Sequence, residues 1–464
     1  MTDDSKKLSL LDSTAIIAGS MIGSGIFIVS AEIARKVETP GMLLMAWIIT
    51  AVMTIFAALS YGELAASMPK AGGQYVYLRE AFGPMSGFLY GWTLFAVIQT
   101  GTIAAVAVAF AKFTGVFFPG ISAGHFLVTI GSFHITTQQA LAVTLIVFLS
   151  FYNFREIKSG AFLQNIFTIT KIAALLLLIV LGFYFGWKGM GQVSNFTPAW
   201  PDVISITTLG VFGAAMTGSL FSADAWNNIT FTAGEVRNPK RNLPLSLLLG
   251  TGSVLLIYIL ANIVYIYILP IGKIQTAEND RVGTLLMETI LGDKGKFFMA
   301  AMIMVSTFGC LNGCILSAAR VYYAMAKDGL FFRKAARLNK NNSPAWSLTM
   351  QCIWSCLLCF SGTYGDLLNY IMFAVMIFYI LTISGVFVLR KKRPDMERPY
   401  KAFGYPVIPA IYIILASLVT LNMLIYQTRF SLYGLFIILL GIPVYMVFKK
   451  YTGEPSAVPV EHKT

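Results

Sequence analysis

Apolar residues in this chain gather into twelve long runs joined by short polar segments, with no face-by-face alternation of the kind a soluble core requires. The runs fall at roughly 12–36, 41–68, 83–114, 136–153, 159–187, 205–232, 243–269, 297–326, 346–361, 366–389, 406–427 and 430–448. Each approaches the ~20 residues of helix that cross a bilayer core, the ninth and twelfth being the shortest. The predicted class is an all-α integral membrane protein with twelve transmembrane helices. Two of the runs, the first and the sixth, are interrupted at their centres. One reads Gly19-Ser20-Met21-Ile22-Gly23-Ser24-Gly25-Ile26-Phe27 and the other Gly218-Ser219-Leu220-Phe221-Ser222-Ala223-Asp224-Ala225-Trp226-Asn227-Asn228. In hydrocarbon every peptide group needs an internal partner, so unwound backbone survives only where protein or a wet cavity surrounds it. Interruptions at matching places in two halves point to the substrate site of a secondary transporter.

The spacing of the breaks also divides the chain. Runs one to five and six to ten each begin with a broken helix. Five is odd, so the second set enters the membrane from the opposite side, giving a 5+5 inverted repeat. The predicted parts are an N-terminal tail (1–11), a first repeat (12–187), a second repeat (205–389), two peripheral spans (406–448) and a C-terminal tail (449–464). The longest joints, 114–135, 187–204, 270–296, 327–345 and 390–405, are too short for a soluble domain. Residues 1–11 are too polar and too short for a cleaved signal peptide.

Composition agrees: 57% of residues are hydrophobic and 12% charged, with a mean hydropathy of +0.72, against about 25% charged residues in soluble domains. The net charge of +13 suggests nucleic acid until the basic residues are sorted by joint. With the N-terminus inside, 23 fall on the cytoplasmic side and 9 outside, while Lys171 and Arg320 lie within spans. That is the positive-inside bias; nucleic acid is not a predicted partner, the lipid bilayer is, and both termini are placed in the cytoplasm of a cell (inner) membrane. Cys310, Cys314, Cys352, Cys356 and Cys359 sit in spans eight and nine without histidine partners, so they read as small packing residues. His125, His134 and His462 lie in a loop and a tail. No cofactor, metal site or catalytic residue is predicted, and scattered acids with scarce histidine argue against a membrane-embedded enzyme.

At a break, the following half-helix begins with unmet N–H groups and the positive end of a dipole. Ser24, Gly25 and Ile26 would present them to a carboxylate. The preceding half-helix leaves carbonyls near Ser20 and Met21, and Phe221, Ser222 and Asp224 offer the same acceptor character from the sixth span. Two facing breaks therefore fit the zwitterion of an α-amino acid. The competing explanation is that Gly23-Ser24-Gly25 merely lets helices pack closely. Lys171 is the most informative single charge. About 20 Å of helix separates it from Lys158 at 1.5 Å per residue, too far to snorkel, and a midplane lysine costs at least ~2.5 kcal/mol unless a cavity or partner receives it. Glu63 and Arg320 lie one to two turns from the cytoplasmic ends of their spans, where snorkelling is the simplest reading. Tyr75 and Tyr77 belong to an amphipathic stretch that reads as an interfacial helix or, alternatively, a cytoplasmic lid.

Four segments in this order resemble the amino acid–polyamine–organocation (APC) superfamily, in particular its L-type amino acid transporter (LAT) exchanger branch, in a bacterial form. They are Ile22-Gly-Ser-Gly-Ile-Phe27, Pro69-Lys-Ala-Gly-Gly-Gln-Tyr-Val-Tyr77, Glu235-Val-Arg-Asn-Pro-Lys-Arg-Asn-Leu-Pro244 and Arg398-Pro-Tyr-Lys-Ala-Phe-Gly-Tyr-Pro-Val-Ile-Pro409. The resemblance covers nearly the whole chain and implies the leucine-transporter fold with sodium-independent amino acid transport, usually by obligatory exchange of substrate against counter-substrate. By position it assigns Ser24 and Gly25 to the carboxylate, the carbonyls of Met21, Phe221 and Asp224 to the amino group, Phe221 to an aromatic gate, and Asn227 and Tyr258 to polar positions near the substrate. It makes Lys171 the replacement for a sodium ion, bridging the first break to span eight near Ser306 and Asn312. The chain departs from its relatives at Ala223 and Ala225, where glycine is commoner, which bears on the pocket's shape. Small neutral amino acids are expected; Asp224 either caps local amides or selects cationic side chains. A proton-coupled symporter of the same superfamily is the alternative. Eukaryotic relatives join a heavy chain through a cysteine in the loop after span three; 115–135 has none, so no disulfide-linked heavy chain is expected and a monomer is adequate.

Overall fold

A computed structural model describes residues 8–69, 72–131, 133–154, 158–341, 343–361 and 363–452. Lys6, Lys7, Lys70, Arg155, His462 and Lys463, with most of both predicted tails, lie outside the described residues. The chain opens with α1 (Leu10–Met21) and α2 (Gly25–Val37), which meet at a 44° bend. Then come α3 (Pro40–Ser67), the short α4 (Gln74–Phe82), and α5 (Pro84–Thr93) running through a π turn into α6 (Gln99–Thr114). After a hairpin come α7 (Thr137–Tyr152) and α8 (Lys158–Phe185). The second half holds α9 (Ile206–Ser222), α10 (Pro239–Ile268), α11 (Ile271–Gln275), α12 (Val282–Leu291), α13 (Asp293–Lys327), α14 (Ala345–Leu358) and α15 (Tyr364–Lys392). Two further helices, α16 (Val407–Tyr426) and α17 (Thr428–Thr452), close the chain.

Among the described residues nine helices are long and apolar enough to cross a membrane, and the bent pair α1–α2 makes ten. The shorter apolar helices α7 and α14, of 16 and 14 residues, occupy the fourth and ninth predicted positions. Their starts are written locally. Ser9 with Asp12, Thr136 with Gln139, Ser205 with Thr208 and Thr363 with Asp366 form reciprocal capping boxes, each satisfying N–H groups that the first helical turn leaves open. Pro40, Pro84 and Pro239 stand at helix starts, where the missing N–H costs nothing.

Packing centres on the broken elements. α2 lies along α9, and α10 packs against both α1 and α3. α13 lies against α6 and α8. α16 and α17 cover the outside of α15, α3, α9 and α5.

The joint 270–296 holds two short helices, α11 and α12. The joint 114–135 contains the start of an antiparallel hairpin, Phe126–Ile130 against Phe133–Thr136, the one two-stranded ribbon among the described residues. α4 is not interfacial: Tyr75 and Tyr77 are fully buried, because the helix is folded in against α5 and α15.

Candidate functional site

The first break begins where α1 stops. The Ile22 N–H still reaches back to the Ala18 carbonyl, but Ile22 itself is extended (φ −73°, ψ 94°). Helix resumes at Gly25, so Gly25 and Ile26 occupy the first turn of α2, whose N–H groups have no carbonyl one turn earlier to meet. The preceding carbonyls are partly engaged. Gly19 O accepts from the Lys171 ammonium and Met21 O from the Tyr258 hydroxyl at 2.9 Å; past the break, Ile26 O accepts from the Tyr265 hydroxyl at 3.3 Å. Tyr258 thus reaches the break, but by holding Met21. The Ser24 hydroxyl is 3.1 Å from that of Tyr364.

The second break follows Ser222. Ala223 still donates to Ser219 O at 2.9 Å, and the Asp224 N–H turns back to Phe221 O at 3.1 Å, so the Phe221 carbonyl is already in use once. Ala225 is left-handed (φ 66°, ψ 4°), a conformation that costs a residue with a Cβ of the order of 1–2 kcal/mol. The chain then continues as a 3-10 turn over Trp226–Glu235. The Asp224 carboxylate accepts from the Tyr379 hydroxyl, and Trp226 is wedged edge-on against Tyr61 and beside Tyr379. Asn227 donates to Gln74 at 3.1 Å, and Gln74 to Thr382 at 3.0 Å, tying the second break to α4 and α15.

The two breaks touch. A Cβ on Gly25 would collide with the Ser222 side chain, whose own Cβ would lie at 2.8 Å. Between them lies a cavity of about 30 Å³, walled by Ser20, Met21, Gly23, Ser24 and Gly25 on one side and Phe221, Ser222, Asp224 and Ala225 on the other. Thr102 and Val106 of α6 and Cys310 and Cys314 of α13 complete it. A second cavity of about 30 Å³ continues past Thr102, Asp224, Ala225 and Cys314 towards Gln74, Gln99 and Asn227. Each has room for a water or two, so a larger solute enters only when flanking helices move.

Several of these wall residues carry no warning in the sequence. Thr102 and Val106 look like any other residues of an apolar run. Cys310 and Cys314 were expected to serve packing alone, yet they face the cavity. Tyr379 of the tenth span lines the second cavity, and Tyr364 of the same span meets Ser24, with the second position of a capping box as its only local mark.

Lys171 is fully buried. Its ammonium donates to Gly19 O, near the end of α1. Its expected partners on α13 do not join it. The Asn312 carbonyl oxygen accepts from Asn153 at 2.8 Å, and the buried Ser306 hydroxyl has no hydrogen-bond partner. No group of three or more His, Cys, Asp or Glu side chains converges as a metal site among the described residues.

Two sets of ion pairs lie beyond the cavities. In one, Asp280 binds Arg35 at 2.7 Å and Lys112 at 3.1 Å, and Arg35 also reaches Gln275 O at 2.9 Å. Burial pushes the Asp280 carboxyl up, but Lys112 and Arg35 outweigh it and hold it below the ordinary carboxylate value. In the other, Glu63 does not snorkel. It is 2% exposed and clamps Arg390 at 2.9 and 2.6 Å, with Arg398 at 3.4 Å and the Ala402 N–H at 2.7 Å. Arg320 does reach outward, to Glu235 at 3.1 Å. Leu8 pairs with Val236 as a short parallel bridge, Leu8 N–H to Glu235 O and Arg237 N–H to Leu8 O, both 2.8 Å.

The sequence matches a family model described as amino acid permease over residues 8–448. Mouse b(0,+)-type amino acid transporter 1 is 29% identical over 449 residues, covering 96% of this chain and 88% of its own. The rat protein of the same name is 30% identical over 454 residues with the same coverage. Human large neutral amino acids transporter small subunit 2 is 28% identical over 464 residues, 97% of this chain and 82% of its own.

Proposed function

Because the chain belongs to the amino acid permease family, we propose that it carries L-amino acids across the membrane by alternating access, holding each zwitterion between the two breaks. The observation that carries this reading is the contact of the breaks at Gly25 and Ser222. It sets the open N–H groups of α2 within one cavity of the carbonyl-bearing end of α9. The carboxylate goes to Ser24, Gly25 and Ile26; the ammonium goes to the free lone pairs of Met21, Phe221 and Ser222 and to Asp224. Phe221, Ala223, Asn227 and Tyr258 shape and gate the pocket.

Transport needs no sodium, since the Lys171 ammonium supplies a fixed positive charge at the first break. Exchange is obligatory. A ligand moves the inward–outward equilibrium only by its differential affinity for the two states, and an empty carrier leaves the dipoles of both breaks unmet as it crosses. Neutral L-amino acids, small ones first, are the substrates. The outer face is the one bearing Asp280, both termini are cytoplasmic in a cell membrane, and residues 12–187 and 205–389 act as the two inverted halves. The chain works without a disulfide-linked heavy chain.

A second reading of substrate class rests on Asp224. It is a carboxylate in the cavity wall whose side-chain hydrogen bond comes from a tyrosine and not from a base. It therefore suits the cationic end of a basic amino acid as well as an α-ammonium group.

Purified protein in liposomes tests the proposal. Labelled amino acid should leave preloaded vesicles only when a competent amino acid is outside, at equal rates in sodium and choline media and without a pH gradient. Equal efflux into empty buffer rules out obligatory exchange, strict sodium dependence rules out the role of Lys171, and uptake driven by acid outside favours proton coupling.

A further inference from the structure

We propose that Tyr364 is a positioning residue that couples occupation of the carboxylate end of the site to closure of the outer ion cluster; this rests on the amino acid reading of the two breaks. Tyr364 is the first residue of α15 and is held there by the Thr363–Asp366 capping box. It is 6% exposed. Its hydroxyl is 3.1 Å from that of Ser24 at the first break. Its ring stands edge-to-face against Phe221 at the second, with centroids 6.4 Å apart and planes at 86°. The Lys112 ammonium lies 5.7 Å from the centre of the same ring. Lys112 in turn binds Asp280, which binds Arg35 of α2.

One side chain therefore touches both breaks and the cation that locks the outer loop. Each contact has a direction. The phenol hydroxyl can turn from Ser24 to a carboxylate that arrives beside it, exchanging one acceptor for a charged and stronger one. That contact fixes the ring. A fixed ring presents its electron-rich face to Lys112, an attraction of a kind that grows as water is excluded. Lys112 is then held where Asp280 can meet it and Arg35 together. Without a carboxylate, the hydroxyl is held only by the neutral Ser24 hydroxyl, and the outer cluster loses one of its supports. The outer side thus closes in response to a ligand bearing a carboxylate.

The test is a double-mutant cycle with two readouts. Tyr364→Phe keeps the ring and removes the hydroxyl, Lys112→Met removes the ammonium, and Lys112→Arg restores a cation opposite Asp280. Exchange of labelled L-serine, or of whichever of the twenty L-amino acids the wild type exchanges fastest, is measured in liposomes. Alkylation of Cys310 by N-ethylmaleimide is followed by mass spectrometry with and without that amino acid. Each loss variant should lower the maximal exchange rate about five- to tenfold with the external KM within about twofold, as for the loss of a hydrogen bond made only in the closed state. Each should also remove most of the protection of Cys310 by amino acid. The double variant should be no worse than either single one, since coupled residues do not add, and Lys112→Arg should recover most of the rate. Multiplying losses, or full protection of Cys310 in Tyr364→Phe, overturns the coupling. Failure of all twenty amino acids to exchange in the wild type refutes the substrate reading. Alkylation without ligand then still decides whether Tyr364 and Lys112 act together: additive rates overturn the link and non-additive ones uphold it.

Discussion

The Lys171 ammonium, in the middle of α8, donates to the Gly19 carbonyl near the end of α1, 152 positions earlier in the chain. The bond places a positive charge behind the first break and satisfies a carbonyl close to the point where helical bonding ends. Lys171→Met keeps much of the length and removes the charge. It should leave the Gly19 carbonyl short of a partner, destabilise the protein by about 1–3 kcal/mol and reduce amino acid exchange more than tenfold in the liposome assay. Full activity would remove the lysine from the mechanism.

Gly25 has no room for a side chain. Gly25→Ala should force α2 away from Ser222, at a cost of about 1–3 kcal/mol for overpacking, and should abolish binding of labelled amino acid. Gly25→Ala with Ser222→Gly removes the colliding atoms and should recover part of the binding. If the single variant binds normally, the breaks are not in contact when substrate is present.

Asp224 is tested by charge and not by size. Asp224→Asn retains an oxygen to accept from Tyr379. Exchange of neutral amino acids should fall no more than a few-fold, while inhibition by lysine and arginine should weaken by about tenfold, the effect of losing a charged partner. Unchanged competition by basic amino acids would confine Asp224 to holding Tyr379.

The outer cluster has a definite pH window. Asp280 lies below its ordinary value of 3.8, so its ionised form favours closure above that value, and the contribution is lost only as pH falls through the lower one. External KM should therefore be flat between about pH 5 and 8 with respect to this group, and Asp280→Asn should reproduce at neutral pH the change seen below about pH 4. A transition near pH 6 that disappears in Asp280→Asn would contradict the assignment.

Glu63 is a buried carboxylate that holds two arginines. Removing it leaves Arg390 and Arg398 without their shared carboxylate, and breaking such a buried pair costs up to ~3–5 kcal/mol. Glu63→Gln should lower the thermal midpoint of purified protein more than Glu235→Gln, whose partner Arg320 is part-exposed. Equal shifts would show that burial of the pair has no energetic weight.

The twelve runs and both interruptions were legible because length in hydrocarbon and the need to satisfy backbone groups act on sequence directly. Lys171 was legible for the same reason: a charge far from either surface has to have a purpose. Its neighbours were not. α13 is apolar nearly all round, so the pattern does not fix which face meets α8, and it is Cys310 and Cys314, not Ser306 and Asn312, that line the cavity at the first break. Tyr364 and Tyr379 were missed because α15 is buried on most sides and its rotation is likewise unmarked. Glu63 was misread because distance to a helix end says nothing about an arginine 327 positions later in the chain.

The bridge from Leu8 to Val236 clips the start of the chain to the stretch that follows the second interruption. Two main-chain hydrogen bonds therefore tie the residues before α1 to the end of the 3-10 turn, and the two cannot separate unless both bonds break.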